Sequence, residues 1–135
     1  MKTIIKLILI VTLCTFVFTD CKKYADGPIF SLRTRKARLE GDWKISKMTL
    51  NGVDLTFNTD YIIHIKKGGT YSISAGSYSD DGKWSMGEDG DDVTFTSNDP
   101  NLISQTYRIL RLKNKELWWK RTMPNGDVEE THMIQ

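Results

Sequence analysis

The sequence predicts an all-β domain, a small up-and-down antiparallel barrel of eight strands preceded by a short N-terminal helical turn. Three observations predict it. From Asp42 onward, apolar and polar residues alternate with period two, as in half-buried strands. Turn-forming residues such as Asn51-Gly52, Gly68-Gly69 and Pro124-Asn125-Gly126 separate the alternating runs at short intervals. No run after Leu39 keeps a helical period long enough for a full helix.

The elements follow in order. Residues 1–20 have the layout of an export signal, with Lys2 and Lys6 ahead of an apolar stretch at 7–18. A spanning helix needs about 20 apolar residues, so a signal peptide is favoured over a permanent anchor. Phe18-Thr19-Asp20-Cys21 resembles a bacterial lipobox, with Asp20 where that motif prefers a small residue. The resemblance implies that Cys21 is acylated and tethers the chain to a membrane; the other reading is a plain secretory signal that leaves Cys21 as a free thiol. The segment 21–38 is then the lipidated N-terminus and linker. Its basic residues, among them Lys22, Lys23, Arg33, Arg35, Lys36 and Arg38, either lie against anionic headgroups or keep a solvated linker soluble. Within residues 31–39 a helical turn or two is expected, with Leu32 and Leu39 on one side to plug one end of a barrel.

The folded domain is assigned to 39–135. Trp43 and Ile45 alternate with Lys44 and Ser46, and Met48 and Leu50 continue in the opposite phase, which predicts a bulge near Ser46-Lys47. Asn51-Gly52 ends that strand. The remaining strands are expected over 61–66, 70–74, 83–86, 92–97, 103–112, 116–122 and 128–134. Each should pair with the next, and closure would remove the exposed sheet edges.

Composition excludes several function classes. The formal net charge is +2, from 19 Lys+Arg and 17 Asp+Glu mixed along the chain. Nucleic-acid binding calls for a clustered basic face instead. The two cysteines are Cys14 and Cys21, so the domain itself holds neither a disulfide nor a cysteine-ligated metal. His64 and His132 each stand alone in a strand, and no Gly-x-Ser-x-Gly elbow or phosphate-cradling glycine loop occurs. The expectation is a protein that is not an enzyme and needs no cofactor or metal. Asp80-Asp81-Gly82 and 88–92 raise calcium as an alternative to solvated turns, if the two turns face each other across a hairpin.

Gly41-Asp42-Trp43, opening the first strand after a short helix, resembles the Gly-x-Trp signature of lipocalins (calycin-type β-barrels), most closely the lipocalin-like domains of bacterial lipoproteins. The resemblance implies that Gly41 and Trp43 sit at the closed end of the barrel, with Arg121 packed over Trp43 as a cation–π pair. Function then divides between two expectations. One is a small apolar ligand bound in or at the mouth of the barrel, against Tyr71, Trp84, Phe95, Tyr107 and Trp119. The other is a filled barrel that contacts another protein of the cell envelope. Since neighbours in a strand face opposite ways, one of Trp118 and Trp119 points inward. The expected location is the bacterial cell envelope, on the outer membrane, with the domain in the periplasm or at the cell surface.

Overall fold

The computed structural model describes residues 33–56 and 60–135. The expected export signal, the lipidation site Cys21, Leu32 and the first part of the linker lie outside the described residues. Among the described residues, one short helix, α1 (Arg35–Leu39), precedes nine strands. These are β1 (Gly41–Leu50), β2 (Val53–Asp54), β3 (Tyr61–Lys66), β4 (Thr70–Ala75), β5 (Tyr78–Met86), β6 (Asp92–Ser97), β7 (Gln105–Leu112), β8 (Glu116–Thr122) and β9 (Val128–Ile134).

All ladders are antiparallel: each strand from β3 to β8 pairs with the next, β1 pairs with β3, and β2 pairs only with the last residues of β1. Pairing of β1 with β9 closes β1 and β3–β9 into an eight-stranded up-and-down barrel, with β2 as a short flange. One strand must pair with both β3 and β9, and β1 achieves this with a register shift between Ile45 and Lys47. That shift is the bulge that the phase reversal in the sequence predicts. Asn51 and Gly52 turn the chain with φ of 51° and 79°, the positive values for which Asn-Gly pairs are suited.

Two sequence expectations need correction. The fifth strand begins at Tyr78, not near Lys83, so Asp80, Asp81 and Gly82 lie inside a strand rather than in a turn. The acidic segment 88–92 follows the far end of β5, so the two acidic groups do not face each other across a hairpin. Among the described residues, no three His, Cys, Asp or Glu side chains gather to hold a metal.

The two ends of the barrel differ. At the end where β1 starts, α1 is capped by the Thr34 hydroxyl, which accepts from the Ala37 N–H at 3.1 Å. Arg38 donates to the Leu112 carbonyl at 3.2 Å and fastens the helix to β7. Leu39, Trp43, Leu112 and Leu117 are fully buried here, and the Trp43 indole N–H donates to the Leu39 carbonyl at 2.7 Å. This end is closed. The other end is framed by the 51–52 and 76–77 turns, the loop 98–104 and the 123–127 turn.

Candidate functional site

The open end holds the candidate site, because inward-facing residues there carry polar groups and leave space. Alternation along the strands sends Tyr71 of β4, Asp80 of β5, Phe95 of β6, Gln105 and Tyr107 of β7, Trp119 and Arg121 of β8, and Glu129 and Thr131 of β9 into the interior. Phe95 is the hub of the aromatic floor. Its ring meets Tyr71, Trp119 and Tyr107 edge-on at centroid distances of 5.0, 5.6 and 5.9 Å. Tyr107 and Trp119 stack at 4.6 Å. Such pairs are each worth about 0.5–1.5 kcal/mol beyond burial, so the floor is rigid.

Two hollows adjoin above this floor and share Tyr61, Ile63, Gln105, Tyr107 and Trp119. One, of about 90 Å³, lies toward Tyr71, Tyr78, Asp80, Leu102 and Ile103. The other, of about 230 Å³, lies toward Ile45, Met48, Arg121, Glu129 and Thr131. In the first, Asp80 accepts hydrogen bonds from the Tyr71 hydroxyl at 2.7 Å and the Ser97 hydroxyl at 2.5 Å. In the second, Arg121 pairs with Glu129 at 2.9 Å and also donates to the Gln105 side-chain oxygen, which accepts from the Tyr107 hydroxyl at 2.7 Å. Among the described residues, Arg121 Nε is buried with no hydrogen-bond partner.

Burial, the nearby Tyr78 phenol and Glu129 push the Tyr61 hydroxyl up to about 12. Burial also raises Tyr107, and burial with the hydrogen bond to Asp80 raises Tyr71. At neutral pH these phenols are neutral and serve as hydrogen-bonding groups, not as bases or nucleophiles. Burial works against the charge of Arg121, but the hydrogen bond to Glu129 and the surrounding phenols outweigh it and hold its pKa above the ordinary value. Both histidines lie away from these hollows: His64 pairs with Asp42 and His132 with Glu130, each at 2.7 Å.

The structure separates the residues that the sequence grouped. Tyr71, Phe95, Tyr107 and Trp119 line the hollows. Trp84 does not. It sits toward the closed end, donates its indole N–H to the Lys66 carbonyl at 2.9 Å, and carries Lys36 over its ring at 5.4 Å. Its neighbourhood follows from β5 running toward the closed end, where Trp84 shares an inward phase with Gly82.

Arg121 is also displaced from its expected place over Trp43. Glu129 is the partner of both Arg121 and Leu50, whereas Ile134 is the partner of Glu116 and Lys44. Arg121 therefore lies five residues along β8 from the level of Lys44, the neighbour of Trp43, about 17 Å at the rise of a strand. Its guanidinium is 5.4 Å from the centre of the Tyr107 ring instead. Gly41 has φ of 148°, a conformation that side chains rarely adopt, beside Gln135. Trp119 points inward, while Trp118 lies outside, stacked on His132 at 4.1 Å and under Arg111 at 4.3 Å.

Tyr61, Gln105 and Glu129 are site residues that the sequence reasoning missed. The available signal was phase. Gln105 lies two residues before Tyr107, and Glu129 shares its phase with the buried Thr131 and Met133. The rim around them carries several exposed apolar side chains among polar loop residues. Of the seven large hydrophobics exposed among the described residues, Val53, Leu55, Tyr78, Leu102, Ile103 and Val128 are at this end. Ile103 is 73% exposed.

Set beside known proteins, this architecture is lipocalin-like. A crystal structure of a lipocalin-like protein from Bacteroides uniformis ATCC 8492 superposes with a TM-score of 0.56 over 73% of this chain and 98% of that one, at 14% identity. At that identity the likeness concerns the fold. No family model matches the chain, and no curated protein matches it.

Proposed function

We propose that this is an exported lipoprotein, held to a membrane of the bacterial envelope by an acylated Cys21, whose barrel binds a small molecule at its open mouth without catalysis. The observation that carries the reading is the pair of adjoining hollows above a rigid aromatic floor, at the end of the barrel away from the helix plug. Small-molecule sites are concave and place a few fixed polar groups among apolar and aromatic side chains, and these hollows mix both kinds of lining. Asp80, Gln105, Arg121 and Glu129 supply those groups, so the ligand has polar as well as apolar parts. Neutral phenols and a neutralised Arg–Glu pair supply hydrogen bonds at the mouth, and both histidines lie away from it, which fits binding without turnover.

Native mass spectrometry of protein purified from its own host tests the binding reading. A copurifying small molecule that is lost on Trp119→Ala supports it, and a barrel that carries none speaks against it. Radioactive palmitate tests the anchor: label should enter the wild type and not Cys21→Ser.

The exposed apolar side chains of the rim favour a second reading, in which the mouth docks on another envelope protein. Exposed clusters of this kind mark interaction sites when they are contiguous. A photo-crosslinking residue at Ile103 would then capture one protein in intact cells, whereas the same group at Lys115, on the closed end, would not.

A further inference from the structure

The smaller hollow has a distinct chemistry. Six rings, from Tyr61, Tyr71, Tyr78, Phe95, Tyr107 and Trp119, contribute to its lining, and among the described residues its single charged side chain is that of Asp80. Both Asp80 oxygens are held by hydroxyl donors, the Tyr71 phenol at 2.7 Å and Ser97 at 2.5 Å. The carboxylate is therefore fixed in place, each oxygen holding one donor and keeping acceptor capacity toward the hollow. Arg121, the cation of the neighbouring hollow, does not offset it, because that guanidinium is paired with Glu129 at 2.9 Å. Arg121, Glu129 and Asp80 together leave one uncompensated negative charge across the two hollows.

An anion entering here would face that charge in a confined, ring-lined space. A neutral ligand would gain nothing from it. A cation gains twice, from the carboxylate and from the negative faces of aromatic rings. Around the carboxylate the lining is dominated by ring faces, which solvate N–H groups poorly, so the favoured cation is one that does not need to donate several hydrogen bonds. That describes a quaternary or highly substituted ammonium group. The size agrees: about 90 Å³ suits a headgroup, whereas pockets for drug-sized molecules start at roughly 300 Å³. We infer that this hollow is a subsite for a small alkylammonium headgroup, caged by the rings of Tyr61, Tyr78, Phe95 and Tyr107 and neutralised by Asp80. The remainder of such a ligand extends toward the larger hollow or past Leu102 and Ile103 at the rim. The inference rests on the mouth being the binding site.

Choline, its uncharged isostere 3,3-dimethyl-1-butanol and the anion 3,3-dimethylbutanoate separate charge from shape. Binding of each is followed by saturation-transfer NMR and by tryptophan fluorescence on the wild-type protein. Choline is expected to bind about tenfold or more tightly than the alcohol, a ratio in keeping with one charge contact in a partly screened site, and the anion least. Asp80→Asn should bring choline down to the alcohol. Tyr78→Ala, at an exposed position whose loss does not threaten the fold, should weaken choline severalfold and the alcohol less. Equal binding of choline and the alcohol, or preference for the anion, overturns the ammonium subsite while leaving a ligand-binding mouth. No binding of any probe, with nothing copurifying from the host, overturns both.

Discussion

Trp43 is a structural side chain, set at the end of the barrel opposite the candidate site. It is fully buried between Leu39 and the barrel wall, and its N–H satisfies the Leu39 carbonyl at the end of α1. Trp43→Ala removes a large buried ring and leaves that carbonyl unpaired. The expected cost is about 3–5 kcal/mol, read as a lower urea midpoint. The tyrosines at the opposite end give a second expectation at this scale. The Tyr61 pKa is raised from 10.0 in the unfolded chain to about 12, and Tyr71 and Tyr107 shift the same way. A raised pKa means that the folded protein favours the neutral phenol. Its stabilising contribution is therefore complete below pH 10 and is lost as pH climbs to about 12. Melting temperature should fall across that window, and tyrosinate absorbance should rise later in the folded protein than in urea. Tyrosines titrating normally while the protein stays folded would contradict the burial of these phenols.

At the scale of elements, the strands that sequence reasoning located well are those whose inward residues are bulky and regularly spaced. β8 and β9 keep Leu117 and Trp119, then Thr131 and Met133, on the buried side, and their limits are those the alternation predicts. β5 was read short because Ser79, Asp80, Asp81 and Gly82 carry turn chemistry without apolar alternation. Tertiary contacts overrule it. A Cβ on Gly82 would lie 2.9 Å from both the Tyr71 ring and the Ser97 Cα, and would collide with the Thr96 carbonyl. Gly82 is thus a strand glycine that lets Tyr71 lie close over the sheet, and Tyr71 in turn reaches Asp80. Gly82→Ala should destabilise by about 1–3 kcal/mol through this overpacking and should also disturb binding at the smaller hollow. Chemical denaturation together with probe titration checks both. β2 escaped notice for another reason: two residues paired to the tail of β1 leave no periodicity to read. Arg121 was misplaced because a family pattern ties a late arginine to Trp43. Counting residues along β8 would have put it with the residues of the open end, since each step along a strand moves the side chain about 3.3 Å.

Across the whole molecule, closure and plugging make the two ends separable. The β1–β9 ladder completes the barrel, so its eight strands leave no open sheet edge between them. The closed end gathers Leu39, Trp43, Leu112 and Leu117, whereas the mouth keeps Asp80, Arg121 and Glu129 around space. Between these groups lies the Phe95–Trp119 floor, and along β8 Leu117 and Arg121 are four residues, about 13 Å, apart. Changes at opposite ends share no partner and should therefore act independently. Leu39→Ala should cost about 2–4 kcal/mol by leaving a cavity beside Trp43, yet leave probe affinity at the mouth unchanged. Glu129→Gln, which weakens the pair with Arg121, should alter probe affinity and cost about 1–3 kcal/mol. The double variant should lose the sum of the two within about 0.5 kcal/mol. A larger departure, or a probe affinity that follows Leu39, would mean that the floor transmits packing changes from plug to mouth. In that case the aromatic cluster would belong to the binding site as a moving part rather than as a fixed base.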